Sequence, residues 1–286
     1  MTKREQIGIG ALTKESKSKL HRRRNSLSAE SARVRLKNIL SYSRMLQKNW
    51  KTLLKILFNH QLKANERSIN KTLRGYPSNH KYFISNGHLF PGFQLYERWK
   101  TFSALYPEHL ESILDIGCCK GFFVFEASQK PSCKIAVGID VYQPFLDACA
   151  KVKDALKQKN AHFCFFYLNE IAKNVRAYGG PFQAVLLINT YHYLFWGSGL
   201  NSEYFRSHRQ ILSMIAQVCS ERLIFSNPLE IDKCPKEIQE TAKNSEARFE
   251  YTSERFIETA EEFFEIHEKG YLGNRPLFLM IKKNTP

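Results

Sequence analysis

The stretch Ser112-Ile-Leu-Asp-Ile-Gly-Cys-Cys-Lys-Gly-Phe-Phe-Val-Phe-Glu-Ala-Ser128 decides the fold of this chain. Its first residues form a short apolar run, which is typical of a central strand in a parallel sheet. Gly117 and Gly121 bracket a turn in which a side chain would block a ligand or the following helix. The residues from Phe122 onward favour a helix. The stretch therefore predicts a buried strand, a glycine-bearing turn and a helix.

An acidic residue ends the next apolar run, Lys134-Ile-Ala-Val-Gly-Ile-Asp140. A strand–turn–helix–strand unit with an acid at the end of its second strand presents a carboxylate to the hydroxyl groups of a ribose. Asp140 is therefore the second landmark of the predicted site, after the glycine turn.

The segment Leu114-Asp-Ile-Gly-Cys-Cys-Lys-Gly121 resembles motif I of class I S-adenosylmethionine-dependent methyltransferases, in which an acid precedes G-x-G-x-G. Gly117 matches the first glycine and Gly121 the third, whereas Cys119 replaces the middle one. Asp140 matches the acid that holds the ribose hydroxyls in that family. The resemblance covers residues 85–286. It implies a Rossmann-like α/β fold with a mainly parallel seven-stranded sheet that ends in an antiparallel hairpin.

The resemblance also implies that S-adenosylmethionine is the cofactor. Asp115 suits the ammonium group of this cofactor, and Val141 is assigned to the site together with its neighbour Asp140. Asn169 follows an aromatic strand predicted at 162–168 and is a candidate for the adenine edge, for the N-cap of the next helix, or for both. The predicted cofactor-binding residues are Asp115, Gly117, Cys119, Gly121, Asp140, Val141, Asn169 and Asn189.

Two alternatives apply to the glycine turn. A nicotinamide dehydrogenase carries G-x-G-x-x-G, which the turn fits poorly. Asp115 would also repel the pyrophosphate of a dinucleotide, which binds at a helix N-terminus. The other alternative is a parallel-sheet turn that binds no ligand. The motif favours the methyltransferase over both.

The segment Asn189-Thr-Tyr-His192 follows the predicted strand at 182–188, where ligands approach an open α/β sheet. Methyl transfer from a sulfonium needs alignment, and it needs a base only if the nucleophile carries a proton. His192 is the candidate base, with Asn189 beside it, and a structural histidine is the alternative. The segment lacks the prolines of D/N-P-P-Y/F, so methylation of an exocyclic base amine is not favoured.

The positive charge of the chain is concentrated towards its N-terminus. The whole sequence has a net charge of +16, and residues 1–90 contain 20 Lys and Arg against 4 Asp and Glu. The rest of the chain is therefore neutral. This asymmetry favours RNA, or an anionic membrane surface, as a partner. A solubilising tail is the alternative.

Three regions are predicted along the chain. Residues 1–28 are polar and basic and are expected to be a disordered tail. Residues 29–84 favour a basic helical extension, and residues 85–286 the methyltransferase domain. Four further segments have a predicted structure: a loop at 81–93, helices at 201–219 and 235–262, and a hairpin at 263–282.

The seven cysteines show no CxxC pair and no metal-ligand spacing. They predict reduced core residues in a cytoplasmic protein with no metal site. The sequence shows neither a secretory signal pattern nor an apolar run long enough to span a membrane, although its Arg- and Ser-rich start leaves a transit peptide open.

The sequence as a whole predicts an S-adenosylmethionine-dependent methyltransferase. The first candidate acceptor is RNA, either tRNA or rRNA. A small molecule or a protein is the alternative acceptor. The alternative of another class is a non-catalytic RNA- or partner-binding protein with a degenerate methyltransferase fold, which Cys119 would suit best.

Overall fold

The computed structural model describes residues 64–75, 77 and 80–283. The predicted tail at 1–28 and most of the predicted extension at 29–84 lie outside these residues. The described residues all belong to one compact unit. The described part of the extension belongs to this unit, and the domain boundary at residue 85 stays a prediction.

A helix and a small hairpin precede the main sheet. Helix α1 spans Ala64–Leu73, and strand β1, Tyr82–Ser85, pairs antiparallel with β2, His88–Pro91. The predicted loop at 81–93 is therefore wrong for these strands. Asn86 and Gly87 connect them with φ angles of 50° and 77°. Asn-Gly with two positive φ angles is the preferred two-residue hairpin turn, a signal that the loop interpretation overlooked.

Seven further strands form one sheet: β3 Ser112–Ile116, β4 Ile135–Asp140, β5 Ala161–Phe165, β6 Phe182–Ile188, β7 Cys219–Ser226, β8 Phe264–Leu272 and β9 Arg275–Lys282. Their order is β5-β4-β3-β6-β7-β9-β8. The first five pair in parallel, and β9 pairs antiparallel with both β7 and β8. The predicted sheet and its closing hairpin are confirmed.

Strand β3 is central because it is apolar towards both layers of helices. Leu114 and Ile116 belong to the core on one side of the sheet, and Ile113 to the core on the other. A strand covered on both faces is a nearly continuous apolar run, which explains why this segment was recognisable in the sequence.

The remaining helices are α2 Phe93–Ser103, α3 Phe122–Ser128, α4 Gln143–Leu156, α5 Leu168–Lys173, α6 Tyr191–Trp196, α7 His208–Val218, α8 Lys236–Lys243 and α9 Ser253–Ala260. None of the helices described by the structure has the length and apolar character needed to cross a membrane.

Two predicted helices differ from the observed ones. The helix predicted at 201–219 begins only at His208, because Ser207 is its N-cap and accepts a hydrogen bond from the Gln210 backbone. The helical region predicted at 235–262 is divided into α8 and α9, with a 3-10 turn at Glu246–Phe249 between them.

Candidate active site

A cavity of about 880 Å³ opens where β3, β4, β5 and β6 end. This is the edge at which open α/β sheets bind ligands. The structure brings five of the predicted cofactor-binding residues to its wall: Gly117, Cys119, Asp140, Val141 and Asn189.

The turn after β3 depends on glycine at its first position. Gly117 has φ +76°, and a Cβ there would lie 2.3 Å from Thr190 Oγ1. Cys119, at the middle glycine position of the motif, has φ 51°. A left-handed conformation costs a non-glycine residue roughly 1–2 kcal/mol. The turn therefore keeps the conformation expected of a glycine-rich motif although one glycine is replaced.

Asp140 closes this turn from the end of β4. Its Oδ2 accepts a hydrogen bond of 2.8 Å from the Cys119 N–H, and its Oδ1 one of 3.0 Å from the Tyr142 N–H. Burial raises the pKa of the Asp140 carboxyl, and these N–H groups oppose the rise by stabilising the charged form. The carboxylate is thus fixed in orientation at the cavity wall.

Asp115 and Gly121 lie behind the turn and do not line the cavity. Asp115 is 3% exposed, and burial, followed by the charge of Asp140, raises its pKa to about 7. Gly121 has φ +75°, and a Cβ there would lie 2.6 Å from Phe163. These positions indicate that Asp115 and Gly121 support the conformation of the turn from the side opposite the cavity.

Asn169 lies in the first turn of α5, next to the wall residues Tyr167 and Leu168. The N-cap of α5 is Tyr167, so the N-cap prediction for Asn169 is wrong; the preceding strand ends at Phe165. The Asn169 amide donates to Glu203 Oε2 at 2.9 Å, whereas its buried Oδ1 accepts no hydrogen bond from the described residues. Asn169 itself does not line the cavity, unlike Tyr167 and Leu168.

Asn189 follows β6 in a left-handed conformation, with φ 57°. Its backbone N–H donates to Ser226 O at 2.9 Å, and its Oδ1 accepts from Arg275 Nη1 at 2.9 Å. Asparagine tolerates this conformation better than most residues do. Arg275 holds the Asn189 side chain from the neighbouring hairpin, a contact that the sequence does not reveal.

His192 is not placed where a base would act. Its side chain is fully buried in α6 and does not line the cavity. Neither ring nitrogen has a hydrogen-bond partner among the residues that the structure describes. Burial, with the charge of Arg275 as a second cause, lowers the pKa of His192 to about 3. The catalytic interpretation of His192 is therefore corrected to the alternative, a histidine of the core.

The burial of His192 predicts a pH-dependent cost in stability. Between pH 6.5 and about 3, the ring takes up a proton in the unfolded chain but not in the folded one, so acid destabilises the fold. His192→Gln removes this cost. Lowering the pH from 6.5 to 5 is expected to reduce the unfolding free energy of the wild type by about 1.6 kcal/mol more than that of the variant. Urea titrations at both pH values check this, and an equal loss in the two proteins would contradict it.

The far half of the cavity is lined by residues that the sequence did not single out. They come from α6, the segment before α7 and the start of α8: Tyr193, Leu194, Ser198, Gly199, Leu200, Asn201, Glu203, Phe205, Pro235 and Glu237. His80, near the start of β1, lies on the wall together with Asn189. The described residues contain no cluster of side chains suited to a metal ion.

Neither a family model nor a curated protein matches this sequence. The structure is similar to that of EvdMO1, with a TM-score of 0.51 and 15% identity over 78% of this chain and 48% of that chain. It is similar to WbdD, a bifunctional kinase-methyltransferase, with a TM-score of 0.50 and 17% identity over 66% of this chain and 36% of that chain. The chain thus spans about half of EvdMO1 and about a third of WbdD.

A further similarity is to the N-methyltransferase NodS from Bradyrhizobium japonicum in complex with S-adenosyl-L-homocysteine. The TM-score is 0.47 and the identity 14%, over 77% of this chain and 99% of that chain. The strand order, the antiparallel β9 and the likeness to EvdMO1 and WbdD define a class I S-adenosylmethionine-dependent methyltransferase fold.

Proposed function

We propose that this chain is an S-adenosylmethionine-dependent methyltransferase. The observation that carries the proposal is Asp140, fixed by two N–H groups beside the glycine turn on the wall of a cavity of about 880 Å³. Asp140 would accept the ribose hydroxyls at the cavity wall, next to Gly117 and Cys119 of the turn. The residues present fit the cofactor, which supplies a methyl group on a positively charged sulfur.

The chain's own contribution to the reaction would be alignment. His192 is outside the cavity, and His80 is a weak base, because burial and then the charges of Arg98, Lys120 and Arg275 lower its pKa to about 3. Positioning two reactants removes a large entropic part of a barrier without proton transfer. This supports an acceptor whose nucleophile attacks with an available lone pair, held beside Asn189 and Tyr193.

Binding to the cofactor is tested by calorimetry on the intact chain. S-adenosylmethionine and S-adenosylhomocysteine are expected to bind with a stoichiometry of one, and NAD is expected not to bind. Tighter binding of NAD would return the glycine turn to the dehydrogenase alternative. Binding of neither cofactor would leave the turn as a structural element of the sheet.

RNA is the acceptor that we propose first. The support is the excess of positive charge in residues 1–90, of which the structure describes one surface on α1. Arg67, Lys71 and Arg74 are exposed at helical spacing, opposite the buried Ile69 and Leu73. A polyanion on α1 would meet a basic face.

The C-terminal end of α1 is joined to the glycine turn. Lys120, within the turn, donates through Nζ to the carbonyl oxygens of Leu73 and Gly75 at 3.1 and 2.8 Å. The Tyr82 hydroxyl donates to the Lys120 carbonyl at 2.6 Å. An RNA bound on α1 would therefore lie close in structure to the cofactor turn, which supports RNA over a small-molecule acceptor.

The RNA hypothesis predicts a salt-dependent affinity. If four to six phosphates are contacted, log affinity for single-stranded RNA against log salt is expected to have a slope of about −3 to −4. Replacing Arg67, Lys71 and Arg74 by Gln is expected to make the slope shallower by about 2. Filter-binding titrations over a range of salt concentrations measure it.

The control for this triple variant replaces three exposed basic residues of α8, α9 and β8, namely Lys243, Arg255 and Lys269, by Gln. It removes the same charge from other surfaces and is expected to leave the slope unchanged. An equal loss of slope in both variants, or no RNA binding by the wild type at low salt, would favour the small-molecule alternative.

A further inference from the structure

Two guanidinium groups lie next to the cavity without an ion pair. Arg98 in α2 is 7% exposed, and Arg275 at the start of β9 is partly buried. Within the described ranges, neither pairs with a carboxylate. Because removing a charge from water is costly, buried arginines are normally paired with an acid or with a ligand.

Both guanidinium groups hold residues of the cavity wall. Arg98 Nη1 lies 2.8 Å from His80 Nε2, and Arg275 Nη1 donates to Asn189 Oδ1 at 2.9 Å. A guanidinium only donates, so His80 Nε2 is the acceptor and its Nδ1 carries the proton. The buried Arg98 Nε has no hydrogen-bond partner among the residues described. The wall at His80 and Asn189 is therefore backed by two guanidinium groups, and Arg98 Nε is a buried donor without an acceptor among the described residues.

The electrostatic surroundings of this wall are positive. Burial lowers the pKa of His80 to about 3, and the positive charges of Arg98, Lys120 and Arg275 are the further causes. Burial also lowers the pKa of Arg98, and the charge of the Asp115 carboxylate opposes this shift. Burial, however, raises the pKa of Asp115 itself to about 7, so near neutral pH Asp115 offsets the positive charge of Arg98 only in part. A bound anion would supply the missing negative charge.

We propose that the cavity wall at His80 and Asn189, with Arg98 and Arg275 in contact behind it, is a site for a carboxylate or phosphate group of the methyl acceptor. The inference rests on the methyltransferase function proposed above. Arg275 acts through Asn189 at the end of β6, on the side where an acceptor approaches. Uncompensated cations would repel the sulfonium of the cofactor, and an anionic acceptor would cancel that repulsion when it binds. The site would thus select acceptors that carry an anion near the reacting atom.

The test measures anion binding to the intact chain saturated with S-adenosylhomocysteine, so that the carboxylate of the cofactor is already in place. Inorganic phosphate and acetate are titrated by calorimetry against chloride at constant ionic strength. Arg275→Gln is expected to weaken binding of the tighter of the two anions by about 10-fold or more, because the positive charge that holds Asn189 at the site is lost. Arg275→Lys keeps the charge but not the guanidinium geometry, so its anion affinity is expected to lie between those of the wild type and Arg275→Gln.

The matched control is Arg255→Gln, which removes an exposed arginine of α9 that pairs with Glu258. It is expected to bind both anions as the wild type does, including any binding by the basic N-terminal residues. Melting temperatures of all variants verify that they are folded. Equal anion affinity in the wild type and in Arg275→Gln would overturn the proposal.

The other source of an anion is the carboxylate of the cofactor itself. In that case Arg275→Gln would weaken the binding of S-adenosylhomocysteine by about 10-fold. The binding of 5′-methylthioadenosine, which lacks the amino-acid part, would be unchanged. That result, with no phosphate or acetate bound to the saturated wild type, would overturn the proposal. If S-adenosylhomocysteine did not bind at all, the methyltransferase function would fail instead, and the same titrations on the unliganded chain would still decide whether the anion site exists.

Discussion

Asp140→Ala is expected to weaken the binding of S-adenosylmethionine by about 1.5–3 kcal/mol, or roughly 10- to 100-fold. The variant loses the carboxylate proposed to accept the ribose hydroxyls. It also leaves the N–H groups of Cys119 and Tyr142 without their acceptor, so the turn itself loosens. Calorimetric titration with S-adenosylmethionine measures the change.

The control for this variant is Asp147→Ala, which removes an exposed carboxylate of α4 that accepts from Gln143 Nε2. Its affinity for the cofactor is expected to equal that of the wild type. Asp140→Asn keeps an oxygen acceptor for one N–H group, so its affinity for the cofactor should lie between those of the wild type and Asp140→Ala. Unchanged affinity in Asp140→Ala would show that the ligand of this cavity does not contact the end of β4.

Gly117→Ala is expected to lower the free energy of unfolding by about 2–5 kcal/mol. Roughly 1–2 kcal/mol comes from forcing a Cβ into a left-handed conformation. The remainder, about 1–3 kcal/mol, comes from overpacking, because the new Cβ would lie 2.3 Å from Thr190 Oγ1 and 2.7 Å from its Cγ2. Urea denaturation followed by circular dichroism measures the difference.

Gly87→Ala separates the two contributions. Gly87 has nearly the same φ, +77°, but a Cβ there meets no atom within 4 Å. This variant should lose only the conformational part, about 1–2 kcal/mol. Combining Gly117→Ala with Thr190→Ala removes the closest colliding atoms and should recover part of the loss. If Gly117→Ala cost no more than Gly87→Ala, the close approach of Thr190 would not be important for the turn.

The sequence predicted the centre of the fold well because its signals are local. The strand, turn and helix from Ser112 to Ser128 and the strand Phe182–Ile188 lie where the apolar runs and glycines placed them. Asp140 at the end of β4 reached the cavity for the same reason: parallel strands align their carboxyl ends.

Helical boundaries were harder to predict, and they changed the role of His192. Its position after β6 was right, but α6 begins at Tyr191, and its helical geometry turns the His192 ring into the core. Sequence distance from a strand end cannot reveal the direction of a side chain in a short helix. The same difficulty affected the prediction that Asn169 is an N-cap, because the helix begins at Leu168, one residue before Asn169.

The grouping of His80, Arg98 and Arg275 was not predicted because these residues are far apart in the chain. His80 precedes β1, Arg98 lies in α2, and Arg275 starts the last strand. The sequence suggested that Arg98 could reach a ligand, with surface charge as the alternative, but it did not connect Arg98 with His80 or Arg275. In the sequence, basic residues stand out by their number in residues 1–90. In the structure, Arg98 stands out by its burial and its unpartnered Nε, and Arg275 by its hydrogen bond to Asn189 at the cavity wall.

The most direct test of the account is methyl transfer itself. The intact protein is incubated with S-adenosylmethionine carrying a labelled methyl group and with separated cell RNA, protein and small-molecule fractions. Labelled product and S-adenosylhomocysteine are then measured for the wild type and for Asp140→Ala. Label is expected in one fraction, RNA first, with a much smaller yield from the variant at limiting cofactor. Tight binding of S-adenosylmethionine with no S-adenosylhomocysteine formed from any fraction would contradict it and would identify the chain as a non-catalytic binding protein with a methyltransferase fold.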